Sequence, residues 1–219
     1  MTSPIPPGTR WRVTTDATTF EKLKLEPSFW ALVALARVLN ALRFVHSPLA
    51  GTFEDSQKAR RARSNAFLFG CSLVYEASLH VNELGKYYRH LTEYSAMVGP
   101  LNAPESKRLL NTNFGPVRNR TAFHFGADEI GATLKPLTSQ DAIFVSGFGP
   151  AASEIFYDLA DTCAMTTFTA ASFDSPDALS QILSPLMQRT FELITGFIVN
   201  AEAFLAKVLE ESGWRWIAN

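Results

Sequence analysis

Residues 67–91 read FLFGCSLVYEASLHVNELGKYYRHL. Phe67, Cys71, Val74, Ala77, Val81, Leu84, Tyr88 and Leu91 step by three and four along it, a spacing that gathers them on one side of an α-helix. A helix of this length with an apolar stripe has to bury that stripe against other helices, which points to an all-α, up-and-down bundle. The helix is expected to begin after Thr52, which with Asp55 has the form of a capping box, and to run to about Met97 before Gly99-Pro100 ends it. Gly70 and Gly85 within it either admit a close neighbour or mark bends.

Toward the N-terminus, Pro27 suits the first turn of a helix, and Phe29, Trp30, Val33, Leu35, Val38, Leu39, Leu42 and Val45 follow. Arg37, Asn40 and Arg43 form one narrow polar stripe, so burial around most of the circumference is expected. Ser47-Pro48 and Gly51 should break the chain. Residues 1–26, rich in Pro, Thr and charge, read as an extended N-terminal arm, and residues 27–219 as a single helical-bundle domain.

Toward the C-terminus, Pro104 is expected to start a third helix that Gly115-Pro116 interrupts, with a new helix from Pro116 to Phe125 and Gly126 as its cap. Ala142–Ser146 and Ile155–Tyr157 are short, β-branched or aromatic runs around a Gly-Pro-rich stretch, which predicts a small β-hairpin at about 142–158. Ser175-Pro176-Asp177 launches a last long helix that ends before Gly213, giving four or five long helices in all, with Pro185 a candidate kink.

Composition supports a core of this kind. The chain has 219 residues, 47% hydrophobic and 19% charged, which excludes disordered, collagenous and disulfide-scaffold classes. Cys71 and Cys163 lie in apolar surroundings without partners at metal-ligand spacing, a usage that fits reduced thiols in the cytoplasm. No signal peptide is visible. Phe29–Val45 is apolar but short for a span and carries Arg37, Asn40 and Arg43, so it reads as a buried helix and no membrane partner is expected. Residues 1–120 hold 16 Lys+Arg and 9 Asp+Glu, whereas residues 121–219 hold 4 and 12. That asymmetry suits either attraction between the two halves or a face that attracts a polyanion.

Residues 117–125, Val-Arg-Asn-Arg-Thr-Ala-Phe-His-Phe, open a helix after a Gly-Pro break. They resemble the signature of the HEPN superfamily of helical bundles, in which an Arg, a polar residue after it and a His four to six intervening positions on form a ribonuclease site. Arg118, Asn119 and His124 match that pattern. The resemblance covers the motif and the helical order of about residues 27–130. It implies a metal-independent endoribonuclease acting as a homodimer, a toxin or defence component with an antitoxin or other protein partner, and no cofactor. It equally admits a non-catalytic helical module that binds nucleotide, RNA or a protein.

The residue types suit the chemistry. A 2′-hydroxyl beside each phosphate lets RNA be cut with a group that titrates near neutrality and a cation that holds the charged phosphorane; imidazole and guanidinium supply them. Asn119 can orient phosphate or imidazole through its amide. On an ideal helix Arg118 and His124 are about 120° and about 9 Å apart, so they do not share a face. Family members meet this by pairing two chains about a two-fold axis. Arg120, one turn before His124, does share its face and is a phosphate ligand in place of Arg118 or beside it. Solvated or ion-paired arginines and a core histidine between Phe123 and Phe125 are the structural alternative.

Lys58, Arg60, Arg61 and Arg63 place four cations in six residues, either a nucleic-acid-binding patch or a solvated face answering Glu54 and Asp55. His80-x-x-Glu83 and His90-x-x-Glu93 begin about 15 Å apart on one helix, too far to share an ion, and no metal site is expected. Glu76, one turn before His80, is a helix pair or faces the cleft. Gly147-Phe-Gly149-Pro-Ala-Ala152 imitates a dinucleotide fingerprint, but Pro150 and the lack of a following helix argue for a turn.

Overall fold

The computed structural model describes residues 11–50, 57–118, 146–147, 155–156 and 176–218. Its frame is helical. Helix α1 spans Ala17–Leu23, α2 Pro27–Ala50, α3 Gln57–Tyr88, α4 Thr92–Asn102, α5 Pro104–Leu109, α6 Gly115–Val117 and α7 Pro176–Glu211, with a π-helical turn at Leu110–Phe114 between α5 and α6. Strand β1, Trp11–Thr14, pairs antiparallel with β4, Arg215–Ala218, with Val13 opposite Trp216. Of the hairpin expected at 142–158, the described residues are β2, Ser146–Gly147, and β3, Ile155–Phe156, which pair antiparallel with Gly147 opposite Ile155.

The core lies where α2, α3, α4 and α7 meet. Leu32, Leu35, Leu39, Leu42 and Val45 line the inner side of α2. Phe67, Cys71, Val74, Ala77, Val81 and Leu84 do the same on α3, and Ile194, Phe197, Ala201, Phe204 and Val208 on α7. These spacings of three and four are the stripe that the sequence of α3 predicts. Gly70 serves close approach: a Cβ there would stand 3.1 Å from Ile194 Cδ1 of α7 and 3.7 Å from side chains of Leu49 and Val45 of α2. Gly85 serves the same purpose for α4.

Several expected boundaries shift. The helix predicted to run to Met97 ends at Tyr88, and the chain doubles back as α4 so that Tyr94, Met97 and Leu101 reach the core. Gly99-Pro100 does not end a helix but sits inside α4, with Pro100 against Gly196 of α7. Pro48 likewise lies inside α2. Ala103 is extended, as the residue before a proline prefers, and Pro104 starts α5. Gly115-Pro116 does not interrupt the helical path. The wide turn before it is closed by Gly115 N–H donating to the Leu110 carbonyl, and Pro116, lacking an N–H, falls in the first turn of α6.

The first 26 residues are not wholly an extended arm: their described part contains β1 and α1, the latter capped by Asp16, whose carboxylate accepts the Thr19 N–H at 2.9 Å. At the other end, α7 stops before Gly213 as predicted. Gly213 adopts φ +84°, and the N–H groups of Gly213 and Trp214 donate to the carbonyls of Glu210 and Leu209 at 3.1 and 2.9 Å. This is a Schellman cap, which needs a left-handed residue that glycine supplies without strain. It turns the chain into β4 and lays Trp214 on Phe29, ring centroids 6.0 Å apart.

One departure concerns α2. The expected burial on most of its circumference does not occur: Trp30, Val33 and Phe44 are 56%, 55% and 81% exposed. By length and composition α2 could cross a membrane, yet its inner row of leucines is packed in the core.

Candidate functional site

Arg118 follows the last residue of α6, and the backbone there is still helical. The π-helical turn before it brings this stretch against α3, where the Tyr75 ring lies so near Gly115 that a Cβ at that position would stand 3.0 Å from Cε2. From this platform the Nε–H of Arg118 donates to Oε1 of Glu76 at 2.6 Å. The two side chains are 39% and 37% exposed, so the pair stands at the protein–water boundary. A carboxylate on Nε fixes the plane of a guanidinium, because the N–H donors radiate from it in a rigid fork.

Glu76 therefore faces the motif and does not serve only as a partner within its own helix. Its relation to Arg118 joins residues 42 positions apart. His80 lies one turn further along α3 and is half-buried. Glu83, a further turn on, pairs with Lys86 at 2.5 Å. Among the described residues no three His, Cys, Asp or Glu side chains gather as metal ligands.

The other motif residues, Asn119, Arg120 and His124, lie outside the described residues. Of the basic run at the start of α3, the backbone of Lys58 and Arg60 is described, while Arg61 and Arg63 are half-buried and engaged within the protein. Arg63 precedes Glu76 by 13 positions, about 20 Å along the helix axis, so the run is not part of the Arg118 platform.

Two polar groups lie elsewhere: His46, which the sequence reading did not single out, and Cys71, which it placed in apolar surroundings. His46 on α2 stacks on Phe191 of α7, with centroids 4.9 Å apart, and its Nε2 lies 3.0 Å from Thr195 Oγ1. Thr195 donates its hydroxyl proton to the Phe191 carbonyl at 2.8 Å, so Nε2 is the donor toward its oxygen. Cys71, buried and free, has its thiol pKa pushed far up by burial. Its Sγ lies 4.0 Å from Thr190 Oγ1.

Compared with protein-family models, curated proteins and solved structures, the chain matches none.

Proposed function

We propose that the protein is a metal-independent endoribonuclease of HEPN type that acts as a cytoplasmic homodimer, with a toxin or defence role. The observation that supports this reading is the Arg118–Glu76 pair: the first residue of the motif is held in one orientation, at the surface, on a helical platform. In the proposed reaction a ribose 2′-hydroxyl attacks the adjacent phosphorus, its proton passes to an imidazole, and the bond from phosphorus to O5′ breaks. The departing O5′ takes up a proton, leaving a 2′,3′-cyclic phosphate. Arg118 holds the phosphorane oxygens, His124 exchanges protons and Asn119 orients the phosphate, with Arg120 a second phosphate ligand and two chains contributing to one cleft.

A second reading is a non-catalytic module of the same fold that binds RNA, nucleotide or an antitoxin-like protein. The same ion pair favours it, since a guanidinium already matched by a carboxylate presents no net charge to a phosphate.

The test is incubation of the purified protein with total RNA in EDTA beside His124→Ala and Arg118→Ala. Cleavage that persists in EDTA and disappears in both variants is the result expected of the enzyme. Identical traces for all three proteins would leave the binding module.

A further inference from the structure

Cleavage through the 2′-hydroxyl moves two protons. The 2′-hydroxyl loses one as it attacks phosphorus, and O5′ gains one as its own bond to phosphorus breaks. The entering and leaving oxygens stand roughly in line on opposite sides of the phosphorus, so one imidazole cannot serve both in a single step. With His124 as the base, O5′ needs a second proton carrier.

His80 has the chemistry and the place. It follows Glu76 by one turn of α3, and positions four apart on a helix differ by about 40° around the axis, with Cβ atoms about 5–6 Å apart. Glu76 is the carboxylate that accepts the Arg118 Nε–H at 2.6 Å, so the guanidinium is tied down one turn from the imidazole. Ala77 and Val81, the neighbours of His80 on the core side, are buried, whereas His80 is only half-buried and leaves the helix at the edge of the core. Among the described residues the His80 ring makes no hydrogen bond, ion pair or ring contact. A polar side chain that serves the fold from such a position is ordinarily hydrogen-bonded, as His46 is to Thr195. Of the other described histidines, His46 lies between α2 and α7, and His90 lies beyond the end of α3, about 15 Å further along its axis.

We propose that His80 is the general acid of the Arg118 site, an assignment that rests on the ribonuclease reading. The imidazolium of His80 gives its proton to O5′ as the bond from phosphorus to O5′ breaks, while the bond from O2′ to phosphorus forms and the 2′ proton passes to His124. Arg118 holds the non-bridging oxygens. The step leaves a neutral imidazole at His80 and an imidazolium at His124, and exchange with water restores both.

The test uses the full chain in EDTA. Total RNA establishes whether the wild type cuts and where, and the cut linkage is then built into an oligonucleotide with either oxygen or sulfur as the leaving atom. Thiols are far stronger acids than alcohols, so a thiolate departs without a proton and the sulfur linkage needs the base but not the acid. His80→Ala should cut the oxygen linkage about a hundred- to ten-thousandfold more slowly than the wild type. It should cut the sulfur linkage at the wild-type rate, which also shows that the variant is folded. His124→Ala should be slow on both. A wild type that cuts, beside a His80→Ala that cuts the oxygen linkage equally fast, would overturn the assignment and leave the ribonuclease reading standing. A His80→Ala equally slow on both linkages would overturn it too, since the ring would then act on the fold and not on the leaving oxygen. A wild type that leaves total RNA intact would overturn the ribonuclease reading and the assignment with it.

Discussion

Arg118 donates through Nε to the Glu76 carboxylate at 2.6 Å, joining the segment after the π-helical turn to the middle of the longest described helix of the N-terminal half. A pair so exposed is worth only about 0–1 kcal/mol to folding, because water and salt screen it. Its consequence is orientation. Glu76→Gln should leave thermal unfolding nearly unchanged and lower RNA cleavage by about ten- to a hundredfold, as misplacement of a positioned group does. Equal rates for the two proteins would show that Glu76 does not position Arg118.

The Tyr94 hydroxyl donates to the Val81 carbonyl at 2.9 Å, directly over Gly85, where a Cβ would fall 2.5 Å from Tyr94 Oη. Overpacking of this kind costs about 1–3 kcal/mol, more than the roughly 1 kcal/mol of helix propensity that alanine adds. Gly85→Ala should therefore lower the urea midpoint in the wild type, and lower it less in a Tyr94→Phe background, where the oxygen is gone and the ring carbon at 3.2 Å remains. Additive effects would rule out the contact.

Asp16 caps α1, and the backbone N–H and side chain of Thr19 hold its carboxyl below the usual carboxylate range. A lowered folded-state pKa contributes stability that is complete above the ordinary Asp value and is lost as pH falls through the folded one. Carboxyl carbon shifts should give a midpoint below that of an unstructured Asp, with the Thr19 amide shifting in step. Asp16→Asn keeps a capping side chain and should abolish the pH response.

Burial raises the Cys71 thiol so far that no thiolate forms near neutrality. In a Cys163→Ser background the folded protein should resist a thiol reagent that titrates one cysteine per chain in denaturant. Rapid labelling without denaturant would place Cys71 outside the core.

How much of this was legible in the residues varies with the range of the interaction. The stripe of α3, the end of α7 before Gly213 and the start of α5 at Pro104 follow from local spacing, from glycine's left-handed freedom and from proline's fixed φ, which need no tertiary partner. The break at Arg89–His90 does not, because only Tyr94 returning to Val81 reveals it. Gly115-Pro116 misleads for a similar reason: a π-helical turn absorbs the missing N–H that would end an α-helix. Trp30 and Val33 of α2 read as core because they are apolar, yet both are exposed, and composition alone cannot say which side lacks a neighbour. In the candidate site, Arg118 is visible by its motif, but Glu76 lies 42 positions away with no pattern linking the two.

Cleavage of RNA through its own 2′-hydroxyl, by a guanidinium and an imidazole of this motif, is the proposed reaction. It is tested most directly by offering the protein, in EDTA, an RNA oligonucleotide and the same sequence with 2′-deoxyribose, and by analysing the product ends. Cleavage of the RNA alone, with 2′,3′-cyclic phosphate termini and loss of activity in Arg118→Ala and His124→Ala, is the predicted result. Cutting of both oligonucleotides, or RNA products unchanged by either substitution, would contradict it.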